Sequence, residues 1–179
     1  MSSSHQVVIR SATADDINKI AEVLTYSFHS FNRFMCWLYP LMKMGIAEDL
    51  RDRIYKNDPH YRCFIAENEN KKIIGTVELS LKTKYNYLTM KKQYLYISNL
   101  AVMKHYRRQG VASKLLKECE TLAKNWQFDS LSLHVLAENK TGQTVYLQNG
   151  YAVKEVQTDL YSLFLTSKRR LLLEKSLSN

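Results

Sequence analysis

Apolar residues recur along this chain with two different spacings, and the alternation of these spacings predicts a mixed α/β protein. Apolar positions three or four residues apart indicate helices at 14–28 and 111–123. The aromatic and Met-rich region 31–56 is also predicted to be helical, and a further helix is expected after Asn139. Runs rich in Val, Ile, Leu and Tyr indicate strands at 7–10, 62–67, 72–82, 94–102, 130–136, 151–157 and 169–176. The predicted order is β-α-α-β-β-β-α-β-α-β-β, with 82–93 as a polar loop.

Capping and breaking residues refine the first two helices. Thr13 is a candidate N-cap for the first helix, with Asp15 and Asp16 in its first turn. Pro40 predicts an interruption of the second helical region, because proline lacks the backbone N–H that a helix interior uses.

Composition bounds the class of protein. The chain has 179 residues, of which 45% are hydrophobic, and this predicts one globular domain over 1–179. Its three cysteines have no metal-ligand spacing, so no metal is expected and a reducing compartment is favoured. The N-terminus has no apolar signal core and no apolar run has membrane-spanning length. We therefore expect a cytoplasmic monomer or homodimer with no membrane partner.

The net charge of +9 raises the question of a nucleic-acid partner. The basic residues are scattered in short pairs and form no basic helix face. We expect no nucleic-acid partner, since an enzyme with an anionic cosubstrate also benefits from positive charge.

The segment from Arg107 to Ala112 is the most informative part of the chain, because it lies between a strand and an amphipathic helix. A loop that opens a helix directs unpaired N–H groups outward at the positive end of the helix dipole. Such a loop can bind a diphosphate, and Gly110 lets a phosphate approach the backbone closely. Arg107 and Arg108 add positive charge.

The spacing Arg-x-x-Gly-x-Ala at Arg107, Gly110 and Ala112 resembles the acetyl-CoA signature of the GCN5-related N-acetyltransferase (GNAT) superfamily. A second segment, with Asn139, Tyr146 and then Gly-Tyr at 150–151, resembles the superfamily's second motif. The resemblance implies an α/β GNAT fold with flanking helices, whose mixed central sheet is splayed at the acetyl-CoA site. It implies that acetyl-CoA is held by Leu100, Ala101, Val102, Arg107, Arg108, Gln109, Gly110, Val111, Ala112, Ser113, Asn139 and Tyr146.

The resemblance also implies catalytic roles. Tyr146 matches the tyrosine that protonates the departing thiolate. Tyr96 and His134 match the tyrosine and histidine that hold a water as general base in N-terminal acetyltransferases of the NatE type, and imidazole titrates in the right range for this task. Glu78 is the rival base, with a structural ion pair as its plain alternative.

The acceptor is the least determined part of the sequence interpretation. Aromatic residues are candidates for a slot that grips a peptide N-terminus, and these are Tyr26, Phe28, Phe31 and Tyr161. The motifs together look most like cyanobacterial and plastid-type GNATs, several of which acetylate both N-termini and lysines. We expect protein N-terminal α-amines as acceptors, with lysine side chains second. Small-molecule amines such as polyamines, antibiotics or amino acids are the alternative.

Overall fold

The computed structural model describes residues 7–28, 39–86, 89–157 and 169–177. The strands within these ranges are β1 (Val8–Ser11), β2 (Tyr61–Glu67), β3 (Ile73–Asn86), β4 (Thr89–Val102), β5 (Ser130–Leu136), β6 (Ala152–Gln157) and β7 (Arg170–Ser176). The α-helices are α1 (Ile17–Phe28), α2 (Tyr39–Tyr55), α3 (Val111–Asn125) and α4 (Lys140–Gln148). The predicted element order is therefore confirmed.

The chain divides into two compact units, and β3, β4 and α3 each pass from one unit into the other. The first unit is Met1–Leu79 with Asn99–Glu118, and the second is Ser80–Ser98 with Cys119–Asn179. Neighbouring strands in the first unit follow the order β1-β2-β3-β4, and in the second the order β3-β4-β5-β7-β6. The expectation of a single domain stays a prediction.

The first unit buries the apolar face of α1 against α2 and the adjoining strands. Its core includes residues from both helices and from β2, β3 and β4, namely Ile17, Ile20, Ala21, Val23, Leu24, Ala47, Leu50, Cys63, Ile65, Ile73 and Ala101. Pro40 lies in the first turn of α2, where a missing N–H costs no helical hydrogen bond. A helix thus begins next to Pro40, and residues 31–38 of the predicted helical region lie outside the described residues.

The described part of the second unit contains both parallel and antiparallel strand pairs. The parallel pairing of β4 with β5 runs from Leu95↔Leu131 to Ile97↔Leu133, whereas β5 continues to Leu136. Strand β7 pairs antiparallel with both β5 and β6. The mixed sheet is thus confirmed, and the parallel pairing ends one residue before His134.

One sequence prediction about the fold is wrong. Residues 82–93 were expected to form a polar loop, but β3 extends to Asn86 and β4 begins at Thr89. Lys82 and Lys84 are exposed and Thr83 between them is partly buried. Exposed and partly buried residues alternate in this way in strands, which are held by backbone hydrogen bonds. Because few of these residues are apolar, the pattern does not indicate a strand in the sequence.

No α-helix within the described residues is long and apolar enough to cross a membrane.

A network of charged groups fixes the start of α1. Arg10 on β1 donates to both carboxylate oxygens of Asp16, at 2.7 and 3.0 Å, and to Glu67 at 2.6 Å. Asp16 Oδ2 also accepts from the backbone amide of Thr13 at 2.9 Å. The hydrogen bond from Arg10 is the main reason that the pKa of the buried Asp16 carboxyl falls from 3.8 to about 2.

We predict that Asp16→Asn lowers the free energy of unfolding by about 2 kcal/mol at neutral pH, as a depression of this size implies. A lowered folded-state pKa stabilises the fold above the unfolded pKa, and this stabilisation is lost as the pH falls through the folded value. The difference between the variant and the wild type should therefore shrink as the pH falls from about 4 towards 2. Urea denaturation measures it, and Asp15→Asn at the exposed neighbour is the matched control. Equal losses in both variants would contradict the account.

Candidate active site

The loop before α3 has the backbone geometry expected of an anion site. Arg108 and Gly110 both have left-handed φ angles, of 64° and 76°, and Gly110 accepts the first helical hydrogen bond, from the amide of Lys114, at 3.0 Å. A Cβ at Gly110 would meet no atom within 4 Å, so the space beside its backbone is open to a phosphate. Arg107 folds back, and its Nε donates to the carbonyl of Val102 at 2.9 Å.

Close packing supports this loop from behind. Gly75 on β3 has no room for a side chain, because a Cβ there would lie 3.0 Å from the carbonyl oxygen of Ala101 and 3.3 Å from Val111. The Tyr106 hydroxyl accepts from the Asn68 side-chain amide at 3.1 Å, which ties the loop to the turn between β2 and β3. These contacts hold the start of α3 beside the end of β4. The predicted cosubstrate residues 100–102 and 107–113 all belong to this region.

Glu78 on β3 is buried at the centre of a polar cluster in the first unit, with 1% of its surface exposed. Its Oε1 accepts from Asn99 at 2.7 Å and from Arg53 at 3.3 Å. Its Oε2 accepts from the Tyr61 hydroxyl at 3.0 Å and faces Arg53 Nε at 2.9 Å. Three hydrogen bonds and the nearby charge of Arg53 therefore occupy most of the acceptor capacity of this carboxylate.

Arg53 and Asn99 are members of this cluster that the sequence did not reveal. Burial disfavours the charge on Arg53, but Glu78 and Asp49 together hold its pKa above the ordinary value. Asn99 has φ 52°, a left-handed conformation within β4, three residues before its end. Asparagine tolerates this conformation better than most residues, and an Asn inside an apolar strand is the one signal that could have singled it out.

Tyr96 and His134 are brought together in the second unit, as the resemblance implies. The Tyr96 hydroxyl lies 3.0 Å from His134 Nδ1, within hydrogen-bond distance. Tyr96 pairs with Ser132, two residues before His134, so both side chains project from the same face of the paired strands. Burial raises the pKa of Tyr96, so its hydroxyl keeps its proton at neutral pH.

A third residue extends this pair. Gln157 Oε1 lies 3.0 Å from His134 Nε2, and Gln157 Nε2 donates to Glu155 at 3.2 Å. Gln157 escaped the sequence interpretation because it lies 23 residues from His134 at the far end of β6.

Helix α4 positions Tyr146 in the second unit. Asn139 caps the helix by accepting from the Gly142 amide at 2.9 Å. Tyr146 is nearly buried, and its ring packs edge-on against Tyr151 with 5.9 Å between centroids. Burial, with a smaller contribution from Tyr96, raises the pKa of Tyr146 to about 12. The phenol is therefore a hydrogen-bond donor throughout the neutral range.

The predicted acceptor slot is only partly described. Tyr26 is half exposed, and its ring lies 4.9 Å from that of Tyr39 between centroids. Phe31 and Tyr161 lie outside the described residues, as does the side chain of Phe28. The slot stays a prediction. Across the described ranges, no group of three or more His, Cys, Asp or Glu side chains is arranged to hold a metal ion.

These elements belong to a known class of enzyme. The sequence profile of the acetyltransferase (GNAT) family matches residues 29–151, and the chain belongs to this family. It is an N-acetyltransferase that uses acetyl-CoA as acyl donor.

Two curated proteins of one plant are similar in sequence to this chain. The chain is 30% identical over 182 residues to GCN5-related N-acetyltransferase 10, chloroplastic, of Arabidopsis thaliana, with 92% of this chain and 69% of that protein aligned. It is 26% identical over 101 residues to the N-terminal acetyltransferase A complex catalytic subunit NAA10 of the same plant, with 55% of this chain and 50% of that protein aligned. The plastid-type resemblance is thereby confirmed.

Solved structures share the fold at low identity. The PaiA N-acetyltransferase of Thermoplasma acidophilum in complex with coenzyme A has a TM-score of 0.72 and 17% identity, with 96% of this chain and 99% of that chain covered. A spermidine N-acetyltransferase SpeG chimera from Vibrio cholerae and hSSAT has a TM-score of 0.70 and 16% identity, with 96% of both chains covered. These likenesses establish the fold and leave the acceptor open.

We predict that saturating acetyl-CoA raises the melting temperature of this protein by several degrees and that Gly110→Glu abolishes the shift. A ligand at 100 times its Kd stabilises the folded state by about 2.7 kcal/mol. The glutamate places bulk and negative charge where the diphosphate must lie. Differential scanning fluorimetry with and without acetyl-CoA measures the shift.

The matched control is Gly45→Glu, the same substitution at a position on α2 where a Cβ also meets nothing within 4 Å. It should keep the full shift. A full shift in Gly110→Glu would remove the loop from the cosubstrate site.

Proposed function

We propose that this chain acetylates the free α-amine of protein N-termini, with lysine side chains as secondary acceptors. The observation that carries the proposal is the hydrogen bond between Tyr96 and His134. In the proposed reaction, the acceptor amine attacks the acetyl group directly while both substrates are bound. Acetyl-CoA supplies the activated acetyl thioester, and the residues of the chain bind, orient and move protons.

The choice of base rests on which groups have a lone pair to offer. Glu78 accepts three hydrogen bonds and is paired with the charge of Arg53, so it has little capacity left for a water or an amine. The two ring nitrogens of His134 contact Tyr96 and Gln157, and the Tyr96 oxygen still has a lone pair to offer when its hydroxyl donates to His134. This contrast supports Tyr96 and His134 as the group that takes the proton and Glu78 as a structural anchor.

The chemistry of the acceptor follows from this base. An α-amine has a pKa near 8, whereas a lysine amine has a pKa near 10.4, so at neutral pH the neutral form of the α-amine is far more abundant. A proton relay built on imidazole is matched to an amine of this kind. The similarity to an N-terminal acetyltransferase catalytic subunit supports the same acceptor class.

Tyr146 is proposed as the donor to the departing sulfur. Because burial raises its pKa to about 12, transfer of its proton to a thiolate is uphill, and its main contribution is a hydrogen bond to the sulfur as charge develops there. The proton that the thiolate finally takes can come from the amine through the relay.

The cysteines that the structure describes support direct attack over an acetyl-cysteine intermediate. Cys63 and Cys119 are buried, and burial raises the pKa of Cys63 to about 12. A thiol of this kind is a poor nucleophile at neutral pH, because the thiolate is the reactive form.

Mass spectrometry of a peptide panel tests the proposal. The panel pairs each peptide bearing a free α-amine and an internal lysine with two copies, one blocked at the α-amine and one with lysine replaced by norleucine, and includes spermidine as a small amine. We expect acetylation of the free α-amine to be fastest. Exclusive transfer to lysine, or to spermidine, would refute the acceptor assignment.

We predict that Tyr146→Phe lowers turnover by ~10- to 1000-fold while acetyl-CoA binding is kept. The variant removes one donor and little volume. A raised pKa means that the proton is retained to higher pH, so the wild-type rate should not fall through ionisation of Tyr146 below about pH 11. Wild-type turnover in the variant, with a normal acetyl-CoA melting shift, would exclude Tyr146 from catalysis.

We predict that His134→Ala and Tyr96→Phe each lower kcat/KM, and that the double variant loses less than the product of the two losses. Groups that act as one unit are non-additive in this way. Steady-state kinetics with an N-terminal peptide measures all four proteins. Fully multiplicative losses would assign the two residues separate roles.

A folded but inactive Glu78→Gln variant beside an active His134→Ala would transfer the role of base to Glu78. The melting temperature of Glu78→Gln must be measured first, because the substitution removes the buried carboxylate that is paired with Arg53.

A further inference from the structure

We propose that Gln157, oriented by Glu155, is a positioning residue that holds His134 in the tautomer protonated at Nε2. The inference rests on the proposed function, because it concerns the same relay. It is carried by a row of four side chains in the second unit, Tyr96, His134, Gln157 and Glu155, each within 3.2 Å of the next.

The hydrogen-bond directions along this row follow from its far end. The Glu155 carboxylate, when ionised, can only accept, so the Gln157 side-chain NH₂ must face it and donate. The amide oxygen of Gln157 then faces His134 Nε2 and can only accept. His134 therefore carries a proton on Nε2.

The direction of the hydrogen bond between His134 and Tyr96 follows from the proton on Nε2. A neutral imidazole with its proton on Nε2 has a lone pair on Nδ1, and this nitrogen lies 3.0 Å from the Tyr96 hydroxyl. Tyr96 must then donate its proton towards His134. This leaves the lone pairs of the Tyr96 oxygen directed away from the ring, towards an amine or a water.

A bulge in β6 brings the two positioning residues to the correct face of the strands. Val153 pairs with Leu173 on β7, but the next pair is Glu155↔Leu172, so Lys154 is the extra residue. His134 also pairs with Leu172, and side chains of paired residues project from the same face. Without the extra residue, Glu155 and Gln157 would project from the opposite face.

The proton balance of the relay explains why the tautomer matters. The amine, or a water that has taken its proton, gives a proton to the Tyr96 oxygen while the Tyr96 hydroxyl proton moves to His134 Nδ1. The resulting imidazolium keeps its proton on Nε2, and this N–H still donates to the amide oxygen of Gln157. In the other tautomer Nδ1 is already protonated, so His134 cannot accept the proton from Tyr96.

The test reads the tautomer by long-range ¹H–¹⁵N correlation of the His134 ring in the whole protein, with the signal assigned by its absence from His134→Ala. The experiment needs no acceptor, so it does not depend on which amine is acetylated. The variants are Gln157→Met, which keeps the length of the side chain but loses its acceptor, and Gln157→Glu, which restores an acceptor. Val156→Thr is the control, because Val156 is exposed and lies between Glu155 and Gln157 in the chain. All spectra are recorded at about pH 9, where an imidazole with an ordinary pKa is neutral.

We expect one protonated and one unprotonated ring nitrogen in the wild type, in Gln157→Glu and in Val156→Thr, with Nε2 as the protonated atom. In Gln157→Met we expect a mixture of tautomers. Turnover at the same pH, with whichever amine the peptide panel identifies, should fall about 2- to 10-fold in Gln157→Met, which is the value of one hydrogen bond. It should be retained in Gln157→Glu.

An unchanged tautomer in Gln157→Met would overturn the inference whatever the acceptor. Loss of the single tautomer in Gln157→Met with undiminished turnover would overturn the link between the tautomer and catalysis. It would also count against His134 as the base. Failure of the peptide panel alone, with the tautomer behaving as expected, would refute the acceptor assignment and leave the positioning role of Gln157 intact.

Discussion

The hydrogen bond between the Tyr96 hydroxyl and His134 Nδ1 is the interaction on which the proposed chemistry depends. It exists because β4 and β5 pair in parallel with Tyr96 opposite Ser132, which sets Tyr96 and His134 on one face of the sheet. The pairing of the two strands ends at Ile97↔Leu133, so His134 is the first residue of β5 beyond it. A shift of this register by one residue would project Tyr96 from the other face and abolish the pair.

In the first unit, polar and charged side chains form a structural cluster around Glu78 rather than a proton relay. The buried Glu78 carboxylate accepts three hydrogen bonds, from Arg53, Tyr61 and Asn99, and is also the ion-pair partner of Arg53. Buried charges persist in proteins when they are paired and hydrogen-bonded in this way. The cluster joins α2 to β3 and holds Asn99 in its left-handed conformation. A glutamate on an inner strand is thus a poor guide to the base until its partners are known.

The sequence predicted those features that depend on local chemistry. The predicted phosphate loop contains Gly110, the predicted helix after Asn139 is present as α4, and a helix begins next to Pro40, where an interruption was predicted. In each case the residue and its structural cause lie within one turn of the chain.

The features that the sequence did not reveal depend on partners far along the chain. Arg53 meets Glu78 from 25 residues away, and Gln157 reaches His134 from 23 residues away. The bulge that makes the second contact possible has no signature in the residues of β6. The ends of the long strands β3 and β4, at 82–86 and 89–93, were missed for a related reason, because strand pairing depends on a partner that the local sequence does not show.

A crystal structure with a bisubstrate analogue, in which coenzyme A is joined through an acetyl bridge to the α-nitrogen of a peptide, tests the central claim most directly. The account predicts that this nitrogen lies within about 3.5 Å of the Tyr96 oxygen, or one bridging water away from it, with Tyr96 still bonded to His134. An acceptor nitrogen bonded to Glu78 instead, with Arg53 displaced from the carboxylate, would contradict it.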